Sequence, residues 1–144
     1  MRWEMFDFAF DWIKELETGD ELIDQQHKEF FRIGRNIEQL LVRKCIGVQE
    51  QELLDIVCEL REYISYHFYS EETIMRQQSY SGYVQHVREH LKFKKYIMDI
   101  DCPALAKNPY QELKGIKATI QLWVFSHMMG EDVKMAKEIQ HKTK

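Results

Sequence analysis

The chain has 144 residues, of which 44% are hydrophobic and 31% are charged, so it suits one globular domain with a substantial core. Its formal net charge of −4 predicts no binding to nucleic acid or to an acidic membrane surface. Because no basic segment followed by an apolar run opens the chain, and no long apolar run follows, we expect no signal peptide and no membrane-spanning helix.

The first 19 residues are rich in aromatic side chains. A disordered tail rarely carries so many large apolar groups. We therefore expect residues 1–19 to pack over the rest of the chain as an ordered arm. The aromatic residues of this arm are Trp3, Phe6, Phe8, Phe10 and Trp12.

Glycine and proline residues divide the rest of the chain. Gly47 marks one break, and residues 79–82 mark another. Pro103 and Pro109 predict a loop over residues 101–110, because proline lacks a backbone donor and restricts the residue before it. Four long segments remain, roughly residues 20–44, 49–78, 83–100 and 110–139.

Each of the four segments predicts an amphipathic helix, because apolar residues recur at alternating steps of three and four. The first segment, for example, has Ile23, Phe30, Ile37 and Leu41 on one face. Four such helices with short connections predict an all-α fold. We expect an up-down-up-down four-helix bundle over residues 20–140, with residues 1–19 as the aromatic arm.

Histidine and acidic residues interrupt the apolar faces of all four helices. Such groups are costly to desolvate without a partner, and residues four apart on a helix point the same way. A single histidine on an apolar face is more often an ordinary core residue, but the joint pattern predicts a ligand set for a pair of metal ions. Imidazole and carboxylate ligands suit iron, manganese or zinc equally. The pattern comprises His27, His67 with Glu71, His86 with His90, and His127.

The acidic ligand of the fourth helix is not settled by spacing. Glu131 follows His127 by four residues, which is the ideal helical interval. Asp132 follows it by five, about 140° around a helix that turns about 100° per residue. Gly130 could allow a local distortion, so both acids remain candidates on geometric grounds.

The motifs resemble those of the hemerythrin family, and most closely its single-domain bacterial members. The resemblance runs from about Trp12 to about Asp132. A histidine, then HxxxE, HxxxH and HxxxxD in this order form a specific combination, although each motif alone would be weak. The matching stretches are IDQQHK at 23–28, HFYSEETIM at 67–75, HVREH at 86–90 and WVFSH at 123–127, followed by Asp132.

The resemblance implies two iron ions bridged by two carboxylates and an oxo or hydroxo group. In this family the last acid follows its histidine by five residues, which corresponds to Asp132. Three histidines would complete one iron, and two would leave the other with an open position for a small molecule. The implied ligands are His86, His90 and His127 for the first iron, His27 and His67 for the second, and Glu71 and Asp132 as bridges.

Such a site implies reversible O2 binding for transport, storage or sensing, without enzyme activity. NO and small anions are further candidate ligands of the open position. An apolar pocket would keep water from this position. Its candidate lining residues, each within one turn of a ligand histidine, are Phe30, Phe31, Ile64, Phe68, Ile120, Trp123 and Val124.

Other functions stay open for the same site. These are a di-iron oxidase or peroxidase, and the handling of NO or of iron. The high ratio of histidine to carboxylate argues against an oxidase, because fewer anionic ligands stabilise high-valent iron less. No His–Asp dipeptide occurs, which argues against a phosphohydrolase of the HD type. We expect no attached output domain, which favours a carrier or delivery role, and the oligomeric state stays open.

The remaining chemically active residues have ordinary interpretations. Cys45, Cys58 and Cys102 are odd in number and lack CxxC spacing, which predicts reduced thiols and a cytoplasmic location. We expect Glu72 to be solvated or, at most, to accept a hydrogen bond from a ligand histidine. His141 lies in a polar stretch and is predicted to be exposed.

Overall fold

The computed structural model describes residues 8–142, and within this range the chain is all-helical and contains no strand. The all-α prediction is therefore confirmed, and the arrangement is consistent with a helical bundle. No helix in the described range combines the length and the apolar character needed to cross a bilayer. The helices are a short 3-10 helix (Lys14–Leu16), α1 (Glu21–Val42), α2 (Glu50–Gln77), α3 (Tyr83–Met98), α4 (Cys102–Lys107), α5 (Pro109–Trp123), a π-helical segment (Val124–Asp132) and α6 (Val133–Lys142).

Residues 101–110 do not form the predicted loop. Helix α4 occupies most of this stretch, and α5 begins at Pro109. Each proline stands in the first turn of its helix, where the missing N–H costs nothing and the fixed φ angle is already helical. Asp101 adds a cap, since its Oδ1 accepts the amide of Ala104 at 3.0 Å. The prolines therefore start helices here rather than exclude them.

Side chains fix the starts of α1 and α2 and the end of α3. The Oδ1 of Asp20 accepts the amide of Ile23 at 3.0 Å and caps α1. Gln49 and Glu52 form a capping box at the start of α2. Arg61 of α2 donates to the carbonyl of Met98 at 3.0 Å, which ties the end of α3 to the middle of α2.

Two apolar clusters enclose the polar residues of the interior. The larger cluster contains the fully buried Phe30 and Ile64, and it extends across α1, α2, α3 and α5. The smaller cluster contains Ile23, Met75 and Met135. The histidines and acids lie between residues of these two clusters along α1, along α2, and along the continuous stretch of α5, the π-helical segment and α6. The fold therefore places one polar layer between two apolar layers.

The described part of the N-terminal segment contacts α1. Phe10 is buried, and its ring packs edge-on against Phe31, with 5.6 Å between the ring centroids. The buried carboxylate of Glu38 accepts the amides of Ala9 and Phe10 at 2.6 and 3.2 Å. Trp3 and Phe6, which the sequence analysis also assigned to the arm, lie outside the described residues.

Gly34 of α1 is the point where the Phe10 ring meets the helix. A Cβ atom at this position would lie 2.4 Å from Phe10 Cδ1, so Gly34→Ala must displace the ring. We expect this change to lower the free energy of unfolding by about 1–3 kcal/mol, the usual cost of overpacking. Urea unfolding of the variant would measure the loss.

Gly115 offers a matched control for this prediction. It lies in α5, and a Cβ added there would meet no atom within 4 Å. Gly115→Ala should therefore stabilise the protein by about 0.5–1 kcal/mol through helix propensity alone. If Gly34→Ala were also stabilising, the described contact between Phe10 and α1 would not be present in solution.

Candidate metal centre

The structure brings together all seven side chains that the sequence singled out as metal ligands. Each of them is at most 1% exposed. They form two overlapping groups that share two carboxylates, and the ligand atoms within each group lie within 4.8 Å of one another. Glu71 and Asp132 belong to both groups, His86, His90 and His127 to the first, and His27 and His67 to the second.

The Glu71 carboxylate divides its two oxygens between the groups. Its Oε1 lies 2.7 Å from His86 Nε2 and 3.2 Å from His90 Nε2. Its Oε2 lies 3.2 Å from His67 Nε2. One oxygen therefore faces the three-histidine group and the other faces the two-histidine group.

Asp132 divides its oxygens in the same way. Its Oδ1 lies 2.9 Å from His86 Nε2 and 3.1 Å from His127 Nε2. Its Oδ2 lies 3.0 Å from His27 Nε2. Two carboxylates that each present one oxygen to either side form the donor arrangement that two adjacent cations require.

The π-helical segment explains how Asp132 reaches the cluster. Residues Val124–Asp132 form a π-helix, in which hydrogen bonds join residues five apart. Asp132 therefore comes to the same face as His127, although an α-helix would turn it away. Glu131, which ordinary α-helical spacing favoured, is partly exposed and lies outside both groups.

Gly130 lies within the π-helical segment, but neither space nor a positive φ angle requires a glycine there. A Cβ added there would meet no atom within 4 Å, and its φ angle is not positive. Near the start of the segment, the Ser126 hydroxyl donates to the Leu122 carbonyl at 2.8 Å. This bond occupies a carbonyl next to the change of helix type, and such side-chain bonds are known to bend helices.

The electrostatics of the cluster favour positive charge. Burial disfavours the charged form of His127, but Asp132 and Glu71 outweigh this cost and raise its pKa to about 11. The same carboxylates raise the pKa of His86 to about 9 against the effect of burial. Burial also opposes ionisation of the acids, yet the nearby histidines hold the pKa of Asp132 below its usual range and that of Glu71 well below. Both acids are therefore anionic at neutral pH.

Three inward-facing polar atoms of the cluster lie 3.0–3.2 Å from another cluster atom without the geometry of a hydrogen bond. These inward-facing atoms are His27 Nε2, Glu71 Oε2 and Asp132 Oδ2. Buried polar atoms without a well-formed hydrogen bond are uncommon, because burial removes their hydration. Imidazole nitrogens and carboxylate oxygens are common ligands of transition-metal ions. The buried cluster therefore fits a metal site.

Three residues outside the cluster hold the far side of the histidine rings. Gln26 Oε1 accepts from His67 Nδ1 at 2.6 Å, Glu72 Oε2 from His90 Nδ1 at 2.8 Å, and Glu89 Oε1 from His127 Nδ1 at 2.9 Å. Glu72 thus takes the acceptor role that the sequence analysis had allowed. Gln26 and Glu89 were missed, although each immediately precedes a clustered histidine in the sequence.

Aromatic rings cover the other surfaces of the histidines. Phe68 stacks on His90 with 3.8 Å between ring centroids, and Trp123 stacks on His127 with 3.9 Å. All of the predicted pocket residues are buried, and His141 is exposed and away from the cluster, as expected. The seven residues predicted as candidates for the lining are Phe30, Phe31, Ile64, Phe68, Ile120, Trp123 and Val124.

Comparisons with known proteins point to one family. The family model of the hemerythrin HHE cation binding domain matches residues 18–139. A bacteriohemerythrin of Clostridium acetobutylicum is 25% identical over 85% of this chain and 95% of its own length. One of Campylobacter jejuni is 28% identical over 91% of this chain and 96% of its own length. One of Pseudomonas aeruginosa is 25% identical over 90% of this chain and 81% of its own length. No solved structure matches the chain.

Proposed function

We propose, since the chain belongs to the hemerythrin HHE cation-binding family, that it binds O2 reversibly at a pair of non-haem iron ions. The family implies non-haem iron, and its members are generally O2-binding proteins rather than enzymes. We assign this protein to the same class, as a carrier, store or sensor of O2. The proposed ligands are His86, His90 and His127 on one ion, His27 and His67 on the other, with Glu71 and Asp132 shared by both.

The observation that carries this proposal is the unequal number of histidines around two shared carboxylates. Three imidazoles face one pair of carboxylate oxygens and two face the other pair. The ion on the two-histidine side would have fewer protein ligands, and a small molecule would bind there. A pair of ferrous ions would supply two electrons to O2 and recover them when O2 leaves.

Residues of this chain would shield the bound iron ions and O2 from solvent. The stacked rings of Phe68 and Trp123 fix the orientation of His90 and His127. Gln26 accepts from His67 Nδ1 and so leaves Nε2 of that ring free to bind a cation. The surrounding apolar layers exclude water, which would otherwise admit protons and promote irreversible oxidation.

We also propose an up-down-up-down four-helix bundle over residues 20–140, with residues 1–19 packed on it as an arm. The packing of α2 against both α1 and α3, and of α1 against α5, supports this order. The hydrogen bonds from Ala9 and Phe10 to Glu38 support the arm. We propose the cytoplasm as the compartment, and the three free cysteines support it.

The test of the proposed function is an optical titration with O2. The iron-loaded protein is reduced without oxygen, exposed to O2 and then purged, over several cycles. A charge-transfer band that appears with O2 and disappears on purging supports reversible binding. A band that decays to a stable oxidised spectrum, with turnover of a substrate, would instead favour the oxidase or peroxidase. Reversible binding of NO alone would favour NO handling.

His67→Ala should abolish reversible O2 binding. His67 is one of only two histidines on the proposed O2-binding side, and its loss removes an ion ligand that Gln26 orients. We expect the iron content per chain to fall by half and the O2-dependent band to disappear. Iron analysis and the same optical titration would measure both effects.

The matched control for this variant is His141→Ala, because His141 is exposed and lies outside the cluster. This control should bind iron and O2 as the unaltered protein does. Normal O2 cycling by His67→Ala would show that the proposed ligand set is wrong.

A further inference from the structure

We propose that the two metal positions differ in affinity, and that Glu72 and Glu89 act as positioning residues that make the three-histidine position the tighter one. This inference rests on the proposed function, since it takes the cluster to hold a metal pair. The residues around the ligands differ between the two positions. The three-histidine position comprises His86, His90 and His127, and the two-histidine position comprises His27 and His67.

The three-histidine position has two carboxylates behind its ligands. Glu72 accepts from His90 Nδ1 at 2.8 Å, and Glu89 accepts from His127 Nδ1 at 2.9 Å. Both rings therefore keep Nε2 free and directed at the shared carboxylates. The Glu72 and Glu89 side chains are 23% and 28% exposed, so each reaches from the buried ring towards the surface.

At the two-histidine position, the only Nδ1 hydrogen bond among the described residues goes to a neutral group. His67 Nδ1 donates to the amide oxygen of Gln26 at 2.6 Å, and the Gln26 amide in turn donates to Ser70 Oγ at 3.3 Å. His27 Nδ1 is buried and has no hydrogen-bond partner among the described residues, and the same holds for His86 Nδ1 of the three-histidine position, so the asymmetry lies in the other rings. No carboxylate of the described residues supports either ring through its Nδ1.

This difference in charge has a direct effect on cation binding. A carboxylate that accepts the Nδ1 proton makes the opposite ring nitrogen more basic, and its negative charge also attracts the ion. Glu71 and Asp132 are shared by both positions, so their charges do not distinguish the two. The outer carboxylates and the third histidine therefore both favour the three-histidine position.

The aromatic rings act in the same direction. Phe68 and Trp123 stack on His90 and His127 at centroid distances of 3.8 and 3.9 Å. Tyr63 lies against His67 at the longer distance of 5.3 Å. Rings that are already fixed lose less conformational freedom when they bind an ion. The first metal ion should therefore occupy the three-histidine position, and the ion at the two-histidine position should leave first.

The experiment is a titration of the metal-free protein with Zn²⁺ against a competing chelator. The unaltered protein should show a tight step followed by a weaker one. The double variant Glu72→Gln with Glu89→Gln should weaken the tight step by about 10–100-fold and change the weaker step much less. Because glutamine still accepts the Nδ1 proton, a merely structural role of the two residues would leave both steps unchanged.

A reciprocal variant tests the other side of the site. Gln26→Glu places a carboxylate behind His67, so it should strengthen the weaker step and narrow the difference between the two affinities. His67→Ala should lose the weaker step and keep the tight one. Glu62→Gln serves as the control, because Glu62 lies on the exposed face of α2 and should affect neither step.

The outcomes separate this inference from the function on which it rests. If no Zn²⁺ binds to the folded protein, the proposed metal site and this inference are both wrong. If two ions bind but the affinities are unaffected by the double variant and by Gln26→Glu, the metal site stands and the inference is overturned. Loss of the tight step in His67→Ala would reverse the assignment of the positions. Circular dichroism of each variant, including the single variants Glu72→Gln and Glu89→Gln, verifies folding.

Discussion

Asp132→Ala is expected to abolish binding of the metal pair, whereas Glu131→Ala should leave it intact. Asp132 contacts histidines of both groups, since Oδ1 lies 3.1 Å from His127 Nε2 and Oδ2 lies 3.0 Å from His27 Nε2. Removal of this carboxylate takes one ligand from each proposed ion and also one of the two negative charges that they share. We expect metal affinity to fall by more than about 100-fold, the upper end for residues that only support a ligand.

Metal content per chain after desalting would measure this difference, with circular dichroism to verify folding. Glu131→Ala is the matched control, since it removes an acid from the adjacent residue without touching the cluster. If Glu131→Ala lost the metal pair and Asp132→Ala retained it, residues 124–132 would follow ordinary α-helical spacing in solution. The π-helical segment would then be absent.

Removal of the metal is expected to destabilise the protein strongly. In the metal-free cluster, the buried atoms His27 Nε2 and Asp132 Oδ2 lie 3.0 Å apart without the geometry of a hydrogen bond. When the free concentration of an ion is about 1,000 times its Kd, its binding adds about 4 kcal/mol to the free energy of unfolding. For a chain of this length, we expect a fall in melting temperature of roughly 10 °C for each ion that is removed.

Thermal unfolding of chelated and metal-loaded protein would measure this shift. Reloading the chelated protein with Zn²⁺ should restore the melting temperature, which separates metal loss from damage by the chelator. The His67→Ala variant should show a smaller shift, because it is expected to hold one ion. An unchanged melting temperature after complete removal would mean that the metal does not bind in the buried cluster.

The helices were predictable because their apolar periodicity is long and regular. The observed limits of α1, α2 and α3 lie within a few residues of the predicted segments. Residues 101–110 were predicted wrongly because proline is compatible with a helix in its first turn, and the sequence alone does not distinguish this position from a loop. The contacts of Phe10 with α1 depend on Gly34, whose missing side chain leaves no apolar signal.

The composition of the cluster was predictable from chemistry, since histidine and acid on an apolar face need a partner. Helical spacing could not choose between Glu131 and Asp132. Which acid faces the cluster depends on a change from α-helical to π-helical hydrogen bonding, and the residue types do not predict this change. Only the family resemblance pointed to Asp132. Gln26 and Glu89 were missed because polar residues beside a ligand are usually solvated, and only the three-dimensional arrangement shows which of them meet a ring.

The hydrogen-bonding pattern of residues 124–132 also bears on changes in chain length. Deletion of one residue between His127 and Asp132 would bring the acid to four residues after the histidine, the interval that an α-helix needs. The segment would then close into an ordinary helix, with the acid still directed inward. The same deletion between His67 and Glu71 would turn Glu71 by about 100° away from the cluster, because α2 contains no surplus residue. The π-helical segment therefore tolerates the loss of one residue, whereas α2 does not.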